Sequence, residues 1–276
     1  MDILTTSAGG YSSFTPPEER VLDIRGLTKV FGGLRAVSSF TMDVPYHGLY
    51  GLIGPNGAGK TTVFNMITGI YALTEGAILF EGQELGDLPP HRITRRGIAR
   101  TFQNIRLFQN LTVLDNVRIA YHAHAGYNLL EAITRLGRYG RQERELTERA
   151  QDFLAVFGLQ DRQTELARNL PYGEQRRLEI ARALAAHPKL LLLDEPAAGM
   201  NPNEVETLME LIRFIHDEFD LTILLIEHQM RVVMGICEWI TVMDFGQVIA
   251  RGTSEQIRNN EDVIVAYLGR AHGREL

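Results

Sequence analysis

The consecutive residues Gly54, Pro55, Asn56, Gly57, Ala58, Gly59, Lys60, Thr61 and Thr62 fit the pattern G-x-x-x-x-G-K-[ST] of a phosphate-binding loop, or P-loop. Glycine is required where a Cβ would block a φ > 0 turn or the approach of a phosphate. The loop N–H groups then point inward at an anion, and the helix that follows adds the positive end of its dipole. In this reading Lys60 reaches the β- and γ-phosphates, Thr61 ligates Mg²⁺ and Thr62 contacts the α-phosphate side. The surroundings agree: an apolar run at 49–53 precedes the loop, and Val63, Phe64, Met66 and Ile67 follow at helical spacing. A chance glycine-rich turn has no reason to join a strand to a helix with Lys-Thr in phase. The motif implies a bound nucleotide.

A second group of residues suits the chemistry of that ligand. Four leucines at 190–193 run directly into Asp194, Glu195 and Pro196. An apolar run without alternation reads as a strand buried on both faces, with its acids emerging at the edge of the sheet. Asp194 is placed to hold Mg²⁺ through water, and Glu195 to polarise an attacking water. Another apolar run, 221–226, ends at Glu227 and His228, which sets His228 on the same edge. By itself a histidine at a strand end is more often structural. The same holds for Gln103, which follows a short strand expected at 97–101. Phe31 sits in a Phe-Gly-Gly turn, where its ring either stacks on a base or packs on the core.

The elements that must position these groups are legible from periodicity. Alternating segments at 21–28 and 34–43 predict a hairpin leading to the P-loop strand. Arg92, Arg95 and Arg96 lie on a short helix after a Leu-Pro-Pro turn and read as a solvated face. Thr112 and Asp115 cap a helix that runs to about 123. From there to about 158 the chain is helical and highly charged (Arg135, Arg138, Arg141, Glu143, Arg144, Glu145, Glu148 and Arg149), with Leu146, Ala150, Phe153, Leu154 and Phe157 as its apolar face. Asn201, with Pro202 and Glu204 after it, caps a long helix whose buried stripe is Val205, Leu208, Met209, Ile212, Ile215 and Phe219. A hairpin at 239–251 closes the chain, and Thr253 caps the first of two short helices.

The expected fold is α/β, a P-loop nucleotide-binding core with an N-terminal antiparallel β-subdomain and an inserted helical subdomain at about 104–186. Residues 1–17 read as a flexible tail, 18–252 as the core domain and 253–276 as a helical extension with a frayed end. The net charge of −6, from 28 Lys and Arg against 34 Asp and Glu, argues against nucleic acid as a partner. A single cysteine, Cys237, permits no intrachain disulfide and fits a reducing compartment. The first residues lack the basic start and apolar stretch of a secretory signal. The longest apolar runs are too short to span a bilayer, so any membrane part is expected from another chain.

Taken in order, these motifs resemble those of the ATP-binding-cassette ATPases over about residues 20–252. The resemblance implies ATP and Mg²⁺ as ligands and a dimer, homo- or hetero-, of two cassettes. Gln103 then matches the glutamine that contacts Mg²⁺ and the attacking water, so Thr61, Gln103 and Asp194 form the metal set. Glu195 matches the catalytic glutamate, His228 the switch histidine at the γ-phosphate and Phe31 the aromatic that stacks on the base. Residues 170–175 fall at the signature, which in one subunit closes on the nucleotide of the other. The family usually has Leu-Ser-Gly-Gly-Gln there, and this chain has Leu-Pro-Tyr-Gly-Glu. Pro171 lacks the serine hydroxyl, so the role in trans passes to the N–H of Gly173 and the helix N-terminus behind it. Asn201 stands where the family usually has Asp in the D-loop, which alters hydrogen bonding across the dimer.

The Tyr-Gly signature, the phrase Glu195-Pro-Ala-Ala-Gly-Met-Asn-Pro202 and the tail ending Ala266-Tyr-Leu-Gly269 look like the branched-chain amino-acid importer ATPases of bacteria. That resemblance implies a peripheral subunit on the cytoplasmic face of the inner membrane. Its implied partners are integral permease subunits and, indirectly, a substrate-binding protein. No residue of this chain meets the cargo, so a urea or amide importer and a lipid exporter stay open. A soluble cassette acting on ribosomes or DNA fits less well, since such proteins usually carry two cassettes or a long coiled-coil insertion.

Overall fold

The computed structural model describes residues 19–122 and 139–268. The expected tail at 1–17, the charged residues Arg135 and Arg138, and the chain end at 269–276 lie outside them.

Among the described residues the strands form two sheets. The first is antiparallel, in the order β2-β1-β4-β5, from β1 (Arg20–Phe31), β2 (Leu34–Pro45), β4 (Glu75–Phe80) and β5 (Gln83–Glu84). The second runs β10-β9-β3-β8-β7-β6. Its members are β3 (Leu49–Ile53), β6 (Ile98–Arg100), β7 (Leu190–Asp194), β8 (Thr222–Ile226), β9 (Trp239–Asp244) and β10 (Gln247–Gly252). All pairings in it are parallel except β9 with β10, the closing hairpin.

Among the described residues the α-helices are α1 (Lys60–Ile67), α2 (Pro90–Arg95), α3 (Val113–His122), α4 (Tyr139–Val156), α5 (Tyr172–Leu184), α6 (Pro202–Glu218), α7 (Met230–Ile236), α8 (Ser254–Arg258) and α9 (Glu261–Leu268). The parallel sheet is covered on both faces, which explains its continuous apolar strands. In β7, Leu191 and Leu193 face the core shared with α3 to α7, whereas Leu190 and Leu192 face the core shared with α1 and the antiparallel sheet. In β8, Ile223 and Leu225 divide from Leu224 and Ile226 in the same way. Both strands are entirely buried. Their polar ends are thereby forced to one rim, beside the loop that leaves β3.

Caps fall where the side chains demand them. The Asn201 side chain accepts from the N–H groups of Asn203 and Glu204, and Glu204 returns a bond from the Asn201 N–H. Thr253 and Gln256 form the same reciprocal box. The Thr112 hydroxyl accepts from the Asp115 N–H and donates to its carboxylate. Arg92 and Arg95 are exposed, as expected of a solvated face, and Arg96 donates to the Glu84 carbonyl.

Phe219 departs from the expected stripe. It is 36% exposed, because it sits at the C-cap of α6, where the backbone has already left helical geometry. Its ring meets Phe153 edge-on with centroids 5.6 Å apart, at the rim of the core.

Candidate nucleotide-binding and hydrolysis site

The loop between β3 and α1 has three glycines with positive φ: Gly54 at 150°, Gly57 at 83° and Gly59 at 102°. A Cβ on Gly54 would stand 2.0 Å from the Met243 carbonyl oxygen, and one on Gly59 would stand 2.7 Å from that of Ala36. The loop is thus pressed against β9 and β2 with no room for a side chain on that wall. A Cβ on Gly57 would meet nothing within 4 Å, so there the left-handed backbone alone calls for glycine. Residues 56–62, Ala36 and Glu195 line one small pocket. The Lys60 ammonium donates to the carbonyls of Gly54 at 2.7 Å and Pro55 at 3.1 Å, which keeps the buried cation inside the loop.

Glu195 reaches that pocket from the end of β7. Its N–H still bonds to the Ile226 carbonyl at 2.9 Å, continuing the sheet. Its φ is then +46°, a left-handed conformation that costs a non-glycine residue of order 1–3 kcal/mol. Gln103, on the loop after β6, donates to the Glu195 carboxylate at 2.7 Å. His228 Nδ1 lies 3.5 Å from the same carboxylate. Two residues that are individually weak signals in the sequence, Gln103 and His228, therefore meet at Glu195 beside the P-loop.

Asp194 is buried at the last position of β7. Its Oδ2 accepts from Arg100 at 2.6 Å, and both side chains are nearly solvent-free. Arg100 also donates to the Asn65 side chain and the Thr68 hydroxyl on the P-loop helix segment. The Thr61 hydroxyl and the Asp194 carboxylate are the hard oxygen donors that Mg²⁺ accepts. Thr61 lines the pocket and Asp194 adjoins Glu195, so the donor set fits the ion. With Oδ2 engaged by Arg100, contact through water suits Asp194 best.

Phe31 and Gly173, both expected nucleotide contacts, lie away from the P-loop and its pocket. Phe31 is 40% exposed at the β1–β2 turn and packs not on the core but edge-on against Tyr71, centroids 5.2 Å apart. Lys29 Nζ caps the same ring at 5.0 Å. Gly173 belongs to a separate concavity, lined by Pro171, Gly173, Met200, Asn201 and Glu204 among others. A Cβ on Gly173 would lie 3.3 Å from the Glu204 carboxylate. Tyr172, the other unusual signature residue, is a hydrogen-bond partner of Arg176 at 3.3 Å.

Several residues that hold the site carried no pattern in the sequence. Arg176 is fully buried on α5 and donates to the carbonyls of Phe102 and Gln103 at 2.7 and 2.8 Å. Its partner Glu179, 2.7 Å away, accepts from the N–H groups of Phe102 and Arg106. This pair ties the loop carrying Gln103 to the signature helix. The only sequence signal was charge at i and i+3 on a helix, which usually means a solvated face. Beside that loop is a groove of about 680 Å³, lined by Phe102, Arg106, Phe108, Ile119 and Arg182 among others. Burial pulls the Arg182 guanidinium below its usual pKa, with Glu179 opposing the shift.

Comparison with known proteins follows the same outline. The sequence profile described as ABC transporter matches residues 37–198, and that described as Branched-chain amino acid ATP-binding cassette transporter matches 247–273. The high-affinity branched-chain amino acid transport ATP-binding protein BraF of Pseudomonas aeruginosa is 47% identical over 251 residues, 91% of this chain and 98% of the relative. LivG of Escherichia coli K12, described in the same words, matches at the same identity and coverage. Among solved structures, the ADP conformation of MJ1267, an ATP-binding cassette of an ABC transporter, superposes with a TM-score of 0.78 at 29% identity. It covers 91% of this chain and 99% of its own.

Proposed function

The chain belongs to the ABC transporter ATP-binding family, and from that premise we propose that it is the ATP-hydrolysing subunit of a branched-chain amino-acid importer. The observation that carries the ATPase reading is the meeting of Gln103, Glu195 and His228 beside the P-loop pocket. The cargo reading is supported by the match of residues 247–273 and by the relatives' names.

Hydrolysis in this reading is positioning plus charge stabilisation. The loop N–H groups and the start of α1 receive the phosphates, and the Lys60 ammonium supplies positive charge at the β- and γ-phosphates. Glu195 orients the attacking water and draws its proton, with Gln103 fixing the carboxylate by its hydrogen bond. His228 steadies the γ-phosphate. Thr61, with Asp194 and Gln103, would hold Mg²⁺, which neutralises developing phosphate charge when bound. Phe31 supplies a stacking face for the base.

Gly173 lies outside its own chain's P-loop pocket, in keeping with the family resemblance, under which its proposed partner is a nucleotide held by a second cassette chain in a dimer. Among the described residues no helix is long and apolar enough to cross a membrane, so the membrane path is assigned to separate permease subunits. The groove at Phe102, Arg106 and Phe108 is the proposed seat for them, because the residues that line it also carry Gln103. A substrate-binding protein then supplies the cargo on the far side, and this chain works peripherally on the cytoplasmic face.

The test is co-purification from detergent-extracted membranes of the native host, followed by ATPase assay. Polytopic permeases, a second cassette and a binding protein charged with leucine, isoleucine or valine are expected, with turnover stimulated by that charged protein. A binding protein charged with another ligand would overturn the cargo. Recovery only with ribosomes or nucleic acid would overturn transport.

A further inference from the structure

Glu227 follows β8 directly, yet its side chain is 0% exposed. One carboxylate oxygen accepts from the Ala197 N–H at 2.9 Å, and the other from the N–H groups of His228 and Gln229 at 3.0 and 3.2 Å. A second strap runs beside it: Gln229 Nε2 donates to the Ala197 carbonyl at 3.1 Å. Ala197 lies two residues after Glu195, in the turn where the Ala198 N–H bonds back to the Glu195 carbonyl at 3.2 Å.

A buried carboxylate is costly unless its oxygens are fully hydrogen-bonded. Three backbone N–H groups meet that need. A residue whose only task was to fill space here would be apolar. What the carboxylate adds is a tie between the segment carrying His228 and the segment leaving Glu195. Resting on the ATPase reading above, we propose that Glu227 is a positioning residue for hydrolysis. It holds His228 and Glu195 in register across the ends of β8 and β7, so that both address the same phosphate. The tie also joins His228 to the D-loop segment around 197–201, which lies beside Gly173.

A glutamine at 227 keeps the shape but turns an NH₂ toward one of the backbone N–H groups. The experiment compares wild type, Glu227→Gln, His228→Ala and the double variant in the assembled transporter. It reads ATP turnover by radiolabelled phosphate release, nucleotide affinity by a fluorescent ATP analogue, and thermal unfolding. Glu227→Gln is expected to lower kcat about 10- to 100-fold, the scale of a sub-ångström to ångström misplacement. Affinity should stay within about twofold, and in the His228→Ala background Glu227→Gln should add less than about twofold, since coupled residues are not additive. An unchanged kcat, a loss of affinity that accounts for the whole effect, or a full additional loss without His228 would overturn the proposal.

If Glu227→Gln does not fold, Gln229→Leu decides by the same criteria. It removes only the second strap and is expected to lower kcat about 3- to 10-fold, the worth of one hydrogen bond. A wild-type transporter without ATP turnover would overturn the ATPase reading itself, which the variants' relative rates cannot do.

Discussion

At the P-loop edge, the loop, Lys60, Glu195, Gln103 and His228 come from one chain, with Glu195 lining the loop's pocket and Gln103 and His228 beside its carboxylate. At the signature face, Pro171, Gly173, Asn201 and Glu204 line a second concavity that shares no residue with the first. The first is held by bonds aimed at the site: Lys60 into the loop, Gln103 onto Glu195, Arg100 onto Asp194. The second is held by bonds that finish a helix, with Asn201 and Glu204 occupied in a capping box. In the proposed reading the first face carries the hydrolytic groups, and the second offers one bare glycine, Gly173, beside a finished helix cap. In the proposed dimer the two faces meet, and a site assembled from unlike halves responds to the state of both chains, which a site complete in one chain cannot do.

Mixing two inactive chains breaks or sharpens this contrast most strongly. Lys60→Ala and Gly173→Asp chains are each expected to lose turnover by about 10²-fold or more, the range of a lost charge-stabilising group. A mixture regains activity, because one composite site in each heterodimer has Lys60 and Gly173 intact. No recovery in a phosphate-release assay would mean that each chain works alone or that Gly173 serves a second, different cassette chain. Glu195→Gln is next, with turnover reduced about 10²- to 10⁴-fold as for a lost general base. ATP should then hold the dimer together in size-exclusion chromatography; near-normal turnover would remove Glu195 from its role.

Arg100→Met probes the internal bonding of the P-loop edge. It leaves the Asp194 carboxylate buried without its partner, at a cost of about 3–5 kcal/mol in urea unfolding without nucleotide. Phe31→Ala should weaken nucleotide affinity by about 1–3 kcal/mol if the ring stacks on a base. Unchanged titration of a fluorescent ATP analogue would leave Phe31 as a partner of Tyr71 alone. The smallest effect belongs to the signature face: Asn201→Ala removes a helix cap and should lower stability by about 1 kcal/mol, seen in thermal unfolding.

Much of this molecule was legible in its sequence because the governing rules are local. Residues 54–62 need positive φ at their glycines whatever surrounds them, and a continuous apolar run such as 190–193 has to be buried on both faces. The caps at Asn201 and Thr253 are decided within four residues. The family resemblance was legible for the same reason, since its motifs are short and keep their order. Phe219 was misread because periodicity does not report that a helix ends one residue earlier.

What the sequence alone left undecided was company. Gln103 and His228 lie 125 positions apart, and each alone is weak; the parallel order β3-β8-β7-β6 brings their loops to one rim at Glu195. Arg100, Arg176, Glu179 and Glu227 look like ordinary charged residues in one dimension. Only the closed fold removes water from them, and a buried charge must find fixed partners, which makes each of them a strut of the site. The sequence determined the phosphate-binding loop, the strands and the caps, whose causes lie within a few residues. The tertiary structure decided which distant polar groups share one dry rim, because burial and hydrogen-bond geometry exist only once the sheet is assembled.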